Sequence, residues 1–255
     1  SHGLSDILRS RRGTFSSVRS GIDYEVWNPG KDPYLAANYS LADMSGKNAC
    51  KQALLRECGL RLSEKAPVIA FVSHLSRHKG TDILIEALDG IGAMEAGLVV
   101  CGEGEEKFEL ALAAAARRHR GKMAVWLEMR PSLVHKVVAG ADILLIPSLH
   151  EPCGLNQFYG FRYGAVPVVR ATGGLKETVR PYVPATGEGN GFVFREYSAA
   201  ALLDAVRKAV DCYRNAPGDW RKIREAGLRH NFSLEVTARG YLRLYEKALH
   251  LKRRG

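Results

Sequence analysis

The sequence predicts an α/β chain built on a Rossmann-like, doubly wound parallel sheet, and three observations carry that prediction. Short apolar runs recur along the chain, at 68–73 (VIAFVS), 97–101 (GLVVC), 123–127 (MAVWL), 142–146 (DILLI) and 165–169 (AVPVV). They are apolar almost throughout rather than alternating apolar with polar, which marks strands buried on both faces. Helical patterns separate them, at about 81–92, 105–119, 132–140 and 155–164. Strand alternating with helix in this way gives a parallel sheet with helices on both sides.

Taken in order, residues 1–65 read as an inter-domain strap or linker segment. They carry Gly, Pro, Asn and Asp turns ("GIDYEVWNPGKDPY") and one helical pattern, near 47–58. The regular alternation starts at Ala66 and defines a domain over 66–232. Its last strand is expected at 191–194 (GFVF), followed by helices near 198–214 and 219–229. Residues 233–255 form a separate C-terminal helix, expected over 234–251. No internal repeat or low-complexity segment interrupts the chain.

Composition limits the function classes. With 46% hydrophobic and 25% charged residues, the 255-residue chain is an ordinary globular one. Its formal net charge of +10 suits a phosphate-bearing ligand or a solvated basic surface. Basic residues cluster at Arg9, Arg11 and Arg12, at Arg117, Arg118, Arg120 and Lys122, and at Lys252, Arg253 and Arg254. No aromatic residues interleave with these runs, so they read as solvated faces and not as a nucleic-acid surface. No apolar run is long enough to span a membrane. The five cysteines, Cys50, Cys58, Cys101, Cys153 and Cys212, are widely spaced without a C-x-x-C pair. They point to reduced thiols, not a zinc site or a disulfide framework, and the expected compartment is cytoplasmic. Ser1-His2 reads as a cloning remnant, and no signal peptide is expected.

In a doubly wound sheet, ligands bind beyond the carboxyl ends of the strands, so the loops there are where chemistry is sought. In order they are "HLSRHKG", "GEGE", "EMRPS", "PSLHEPCGLNQ" and "RATGGLKET". Each has an ordinary structural reading: a tight turn at Gly102-Glu103-Gly104, a solvated Lys79, a packing turn at Pro152-Cys153-Gly154. "GEGE" lacks the third glycine of a dinucleotide fingerprint. Together the loops describe an anion site with a carboxylate beside it. The amides of Gly154 and Leu155 open a helix and can hold a diphosphate, with Lys79 neutralising it. Glu151, in a crowded strand-end loop, needs hydrogen-bond donors such as sugar hydroxyls or local amides. That layout suits a nucleotide sugar.

The segment "HEPCGLNQFYGFRYGAVPVVRATGGLKETV" resembles the signature of glycogen and bacterial-type starch synthases, retaining glycosyltransferases of the two-domain GT-B architecture. Other segments are similar in the same order. They are "GLSDILRSRRG" and "GIDYEVWNP" for the inter-domain passage, "VSHLSRHKGTDIL" for the R-L-x-x-Q-K-G loop, "AGADILLIPS" and "YLRLYEKAL". The resemblance covers nearly the whole chain. It implies the C-terminal, nucleotide-sugar-binding domain of such an enzyme, with the C-terminal helix returning toward an N-terminal GT-B domain. It further implies transfer of glucose from ADP-glucose or UDP-glucose, with retention, to the non-reducing end of an α-1,4-glucan acceptor. No metal or other cofactor is implied. The location is cytoplasmic, or plastid stroma in a plant or alga.

Carried over by position, the resemblance gives Glu151 as the active-site glutamate and Lys79 as the phosphate-binding lysine. Cys153, Gly154, Leu155 and Asn156 match the turn that grips donor phosphates and ribose. His74, His78, Gly102, Met129, Gly173 and Gly174 complete the expected substrate-binding set. Four positions depart from the family's usual residues: His74 for arginine, His78 for glutamine, Met129 for a base-stacking tyrosine, and Ser20 for asparagine. A histidine is shorter than arginine and mostly neutral at pH 7, so it lacks the bidentate grip on phosphate; Arg77 is the nearby substitute. The acceptor-binding half lies outside this match, so these 255 residues are expected to bind donor but not to elongate glucan alone. The alternative is a non-catalytic relative that binds glucan or nucleotide. Sucrose- and trehalose-type GT-B enzymes usually carry E-x-F-G in place of E-P-C-G.

Overall fold

The computed structural model describes residues 4–13 and 15–252. Ser1 and His2, and Arg253 and Arg254 of the last basic run, lie outside the described residues. Six parallel strands form one sheet: β1 (Val68–Val72), β2 (Gly97–Cys101), β3 (Met123–Trp126), β4 (Ile143–Ile146), β5 (Val166–Arg170) and β6 (Phe192–Phe194). Their order is β3-β2-β1-β4-β5-β6, the Rossmann arrangement. Register runs Val68↔Gly97 and Ile69↔Ile143 on either side of β1.

The helices are α1 (Ser5–Ser10), α2 (Ser45–Glu57), α3 (Thr81–Gly92), α4 (Glu106–Arg118), α5 (Pro131–Gly140), α6 (Asn156–Tyr163), α7 (Gly173–Thr178), α8 (Ala199–Asn215), α9 (Pro217–Arg229) and α10 (Leu234–Lys252). A 3-10 turn occupies Arg77–Lys79. Two of these, the 3-10 turn and α7, fall in stretches that carry only loop signals in the sequence. Neither is long enough for an apolar period of 3.6 residues to appear.

Side chains alternate across the sheet, so the continuous apolar runs supply two cores. Ile69, Phe71, Leu98, Val100, Ile143 and Leu145 pack with Leu84, Leu112, Val206 and Ile223 from α3, α4, α8 and α9. Val68, Ala70, Val72, Val99, Leu144 and Ile146 face the other way, against Leu54, Val137, Phe158 and Phe161 from α2, α5 and α6.

Packing crosses the boundary at 65/66. Ile22, Tyr39, Cys50, Leu54 and Leu55 belong to the second core. Asp32 is 2% exposed; it accepts hydrogen bonds from His135 Nδ1 at 2.6 Å and Tyr163 Oη at 2.5 Å. Trp27 stacks on both His135 and Tyr159. This segment carries little periodicity because its contacts are made by single residues between turns. Its start is tied to the α9–α10 junction by Ile22 N to Phe232 O (2.8 Å) and Leu234 N to Ile22 O (3.0 Å). No residue of α10 is buried; Thr237 Oγ1 donates to Arg19 O. Among the described residues no helix is long and apolar enough to cross a membrane.

Candidate functional site: a crevice between β1 and β4

A crevice opens in such a sheet where neighbouring strands send their connections to opposite faces. The neighbours β1 and β4 do this: α3, after β1, joins the first core, and α6, after β4, joins the second. The loops following these strands therefore diverge around a gap. A cavity of about 370 Å³ lies there, lined by Lys79, Glu151, Cys153, Gly154, Leu155 and Asn156 together with Gln157 and Tyr159.

Backbone contacts fix the loops against each other. Gly80 has φ +81°, and a Cβ there would lie 2.3 Å from Pro147 O, so only glycine lets the β1 loop touch the β4 loop. The His78 carbonyl accepts the Leu149 amide at 2.9 Å. Arg170 Nη1 donates to Leu149 O at 2.8 Å, and Asn156 Nδ2 donates to Val72 O at 2.7 Å. From the other side, Gly173 (φ +44°) and Gly174 press on the segment carrying Glu151. A Cβ on either would come within 2.0 and 2.1 Å of the Glu151 and Cys153 carbonyl oxygens, and the Gly174 amide donates to Glu151 O.

Within this frame Lys79 Nζ stands 2.7 Å from Glu151 Oε2. Ser148 Oγ donates to the same oxygen at 3.0 Å. The Glu151 side chain is only 12% exposed and that of Lys79 35%. A nearly buried carboxylate is stable when its oxygens are so served. The helix α6 starts just past Glu151, and no side chain caps it. Its first amides are free to meet an anion. The crevice thus offers a cation, a set of helix amides and a carboxylate within one small volume. It can take a ligand whose one end is anionic and whose other end carries hydroxyl donors.

Of the residues expected from sequence, Lys79, Glu151, Cys153, Gly154, Leu155 and Asn156 line one cavity. The other six do not. Gly102 is buried under the β1 loop, where a Cβ would meet Ser73 O at 2.0 Å. Gly173 and Gly174 shape the loop from behind. The His78 side chain is exposed and faces His150 at 6.1 Å between ring centroids. His74 is exposed, and Met129 packs half-buried against the second core. Sequence reasoning does not single out Ser148, Gln157 or Tyr159. Ser148 stands three residues before Glu151, a spacing that signals a local hydroxyl–carboxylate contact. Gln157 donates to Gly154 O and to Thr178 Oγ1; no short-range pattern marks that pairing.

Residues 59–226 match the family model described as glycosyl transferases group 1. The chain belongs to that family. It is 40% identical over 250 residues to a glycogen synthase from Koribacter versatilis, spanning 98% of this chain and 51% of that protein. A soluble starch synthase 1 from Solanum tuberosum is 35% identical, over 96% of this chain and 39% of its own length. Among solved structures, the catalytic domain of starch synthase IV from Arabidopsis thaliana bound to ADP and acarbose superposes with a TM-score of 0.90. It is 27% identical and covers 97% of this chain and 52% of its own. A sucrose-phosphate synthase from Thermosynechococcus elongatus, at 17% identity and a TM-score of 0.67, shares the fold. The chain spans about half the length of the curated relatives it matches.

Proposed function

We propose that this chain is the donor-binding half of an α-1,4-glucan synthase of the glycogen and starch synthase type. It binds ADP-glucose or UDP-glucose, and the whole enzyme transfers the glucose, with retention, to the non-reducing end of a glucan. The observation that carries this reading is the Lys79–Glu151 pair, 2.7 Å apart at the start of α6 and between β1 and β4. Glycogen and starch synthases among the relatives, and an ADP-bound starch synthase among the structural neighbours, support it.

In this reading Lys79 and the amides at the start of α6 hold the diphosphate. They stabilise its growing charge as the bond to the sugar breaks. Glu151 accepts hydrogen bonds from sugar hydroxyls and stabilises the positive charge that develops on the ring. The acceptor hydroxyl attacks from the leaving-group side and gives its proton to the departing phosphate, so Glu151 is not a nucleophile. No metal is required. Acceptor contacts belong to an N-terminal GT-B domain, and water is excluded only when the two halves close. All five cysteines are free, which favours a reducing compartment, the cytoplasm or a plastid stroma.

Calorimetric titration with ADP, UDP, ADP-glucose, UDP-glucose and adenosine tests the proposal. The expected result is binding of one nucleoside diphosphate and its glucose ester, with adenosine bound far more weakly. Equal binding of ADP and adenosine, or no binding of any of the five, overturns it.

A further inference from the structure

Two donors converge on one carboxylate oxygen in the crevice. Glu151 Oε2 receives Lys79 Nζ at 2.7 Å and Ser148 Oγ at 3.0 Å. The residues on either side of each donor lock the two together. The His78 carbonyl, before Lys79, accepts the amide of Leu149, after Ser148, at 2.9 Å. Gly80, after Lys79, lies so close to Pro147, before Ser148, that a Cβ there would come within 2.3 Å of Pro147 O. From β5, Arg170 Nη1 donates to Ser148 O at 3.3 Å and to Leu149 O at 2.8 Å, which pins the serine backbone from behind.

The two donors differ in freedom. Lys79 reaches Glu151 along a flexible four-carbon stem, and its side chain is 35% exposed. Ser148 is 1% exposed and does not line the crevice. Its spacing from Glu151, Ser-x-x-Glu, is that of a helix capping box, in which the hydroxyl accepts from a backbone amide. Residues 147–155 form no helix, however, and among the described residues the carboxylate is the only hydrogen-bond partner of that hydroxyl. The serine therefore serves the charge on Glu151 and not the backbone. A hydroxyl donated to a carboxylate makes one of the stronger kinds of hydrogen bond.

A diphosphate in the crevice separates the tasks of the two donors. Whatever Lys79 gives to the phosphate, the carboxylate loses. The Glu151 side chain is only 12% exposed, so water replaces little of that loss, and an unserved carboxylate there is costly. Ser148 is the donor that stays. We propose that Ser148 is a positioning residue of the donor site: it touches no ligand, and it holds the Glu151 carboxylate while the Lys79 ammonium turns to the diphosphate. This inference rests on the donor-binding function proposed above and deepens it.

The test is a double-mutant cycle on the full chain: parent, Ser148→Ala, Glu151→Gln and the two combined, each melted and each titrated with ADP, UDP and adenosine. Ser148→Ala is expected to weaken the diphosphate that the parent binds about tenfold and to leave adenosine unchanged. In the Glu151→Gln background the same substitution is expected to matter less than about twofold, because a neutral amide gives up Lys79 at little cost. A packing role for Ser148 would lower affinity equally in both backgrounds. Equal losses in the two backgrounds, or no loss in a folded Ser148→Ala variant, overturn the proposal. If Ser148→Ala does not fold, Ser148→Cys, which fills the space with a weak donor, carries the same comparison. Failure of the parent to bind either diphosphate overturns the donor reading and this inference with it. A parent that binds, without coupling between Ser148 and Glu151, overturns this inference alone.

Discussion

Replacing Lys79 by alanine removes the cation that lines the crevice, and the structure sets the size of the effect. A hydrogen bond from a charged donor to phosphate contributes roughly 1.5–3 kcal/mol. Lys79 is 35% exposed, so water screens part of that, and the lower end, about 1.5–2 kcal/mol, applies. ADP should therefore bind about 10- to 30-fold more weakly to Lys79→Ala. Adenosine, without phosphate, should be unaffected. The fold should persist, because Glu151 keeps its Ser148 donor and Lys79 belongs to neither core. Calorimetry at fixed ionic strength, with a thermal melt of each protein, measures both quantities. Equal ADP affinity in parent and variant, with both folded, would refute the assignment of Lys79 to the diphosphate and leave the pair a structural tie between two loops.

Glu151→Gln should leave ADP affinity within a few-fold of the parent and weaken the intact nucleotide sugar by roughly 1.5–3 kcal/mol, measured by the same titration. Asp32→Ala should cost about 3 kcal/mol in urea denaturation, because it strips the acceptor from buried His135 and Tyr163. If residues before 66 were a loose strap, the variant would unfold like the parent. Lys47 is buried and its ammonium is lowered from 10.5 to about 7, chiefly by loss of solvent. Between about pH 7 and 10.5 the unfolded chain holds that proton and the folded chain does not, so stability should rise with pH across that interval. Lys47→Met should remove this rise, as read from melting points at about pH 7, 8 and 9.

The sheet is legible in the sequence because each strand is buried on both faces. A five-residue run such as Val68–Val72 has no polar position to confuse its period. The cavity residues after Ile146 are legible for a related reason. Glutamate, proline, cysteine and glycine directly after a buried strand are an expensive choice for a simple turn. What stays hidden depends on backbone contact between distant residues. Gly80 touching Pro147, or Gly173 touching Glu151, leaves only a glycine in the sequence, and glycine has many uses. The segment before Ala66 is hidden for another reason. Trp27, Asp32 and Tyr39 reach into the molecule one at a time, and such anchors produce no repeat for a periodic reading to find.

Without ligand, Lys79 and Glu151 neutralise each other, which bears on how the crevice distinguishes its ligands. On the proposed function, a nucleoside diphosphate entering alone would draw on Lys79 and leave the nearly buried Glu151 carboxylate with a weakened partner. A glucose ester brings its own hydroxyl donors to the same carboxylate. The ammonium can then turn to the phosphate without leaving a buried charge unserved. The ion pair would therefore couple the two halves of such a donor. Phosphate binding is favoured most when a sugar takes over the role that Lys79 gives up. On the proposed function, a diphosphate left after sugar transfer would lack that support, and the Lys79–Glu151 pair would re-form as it departs. On that reading a single contact 2.7 Å long would favour the whole donor on entry and weaken the hold on the spent nucleotide.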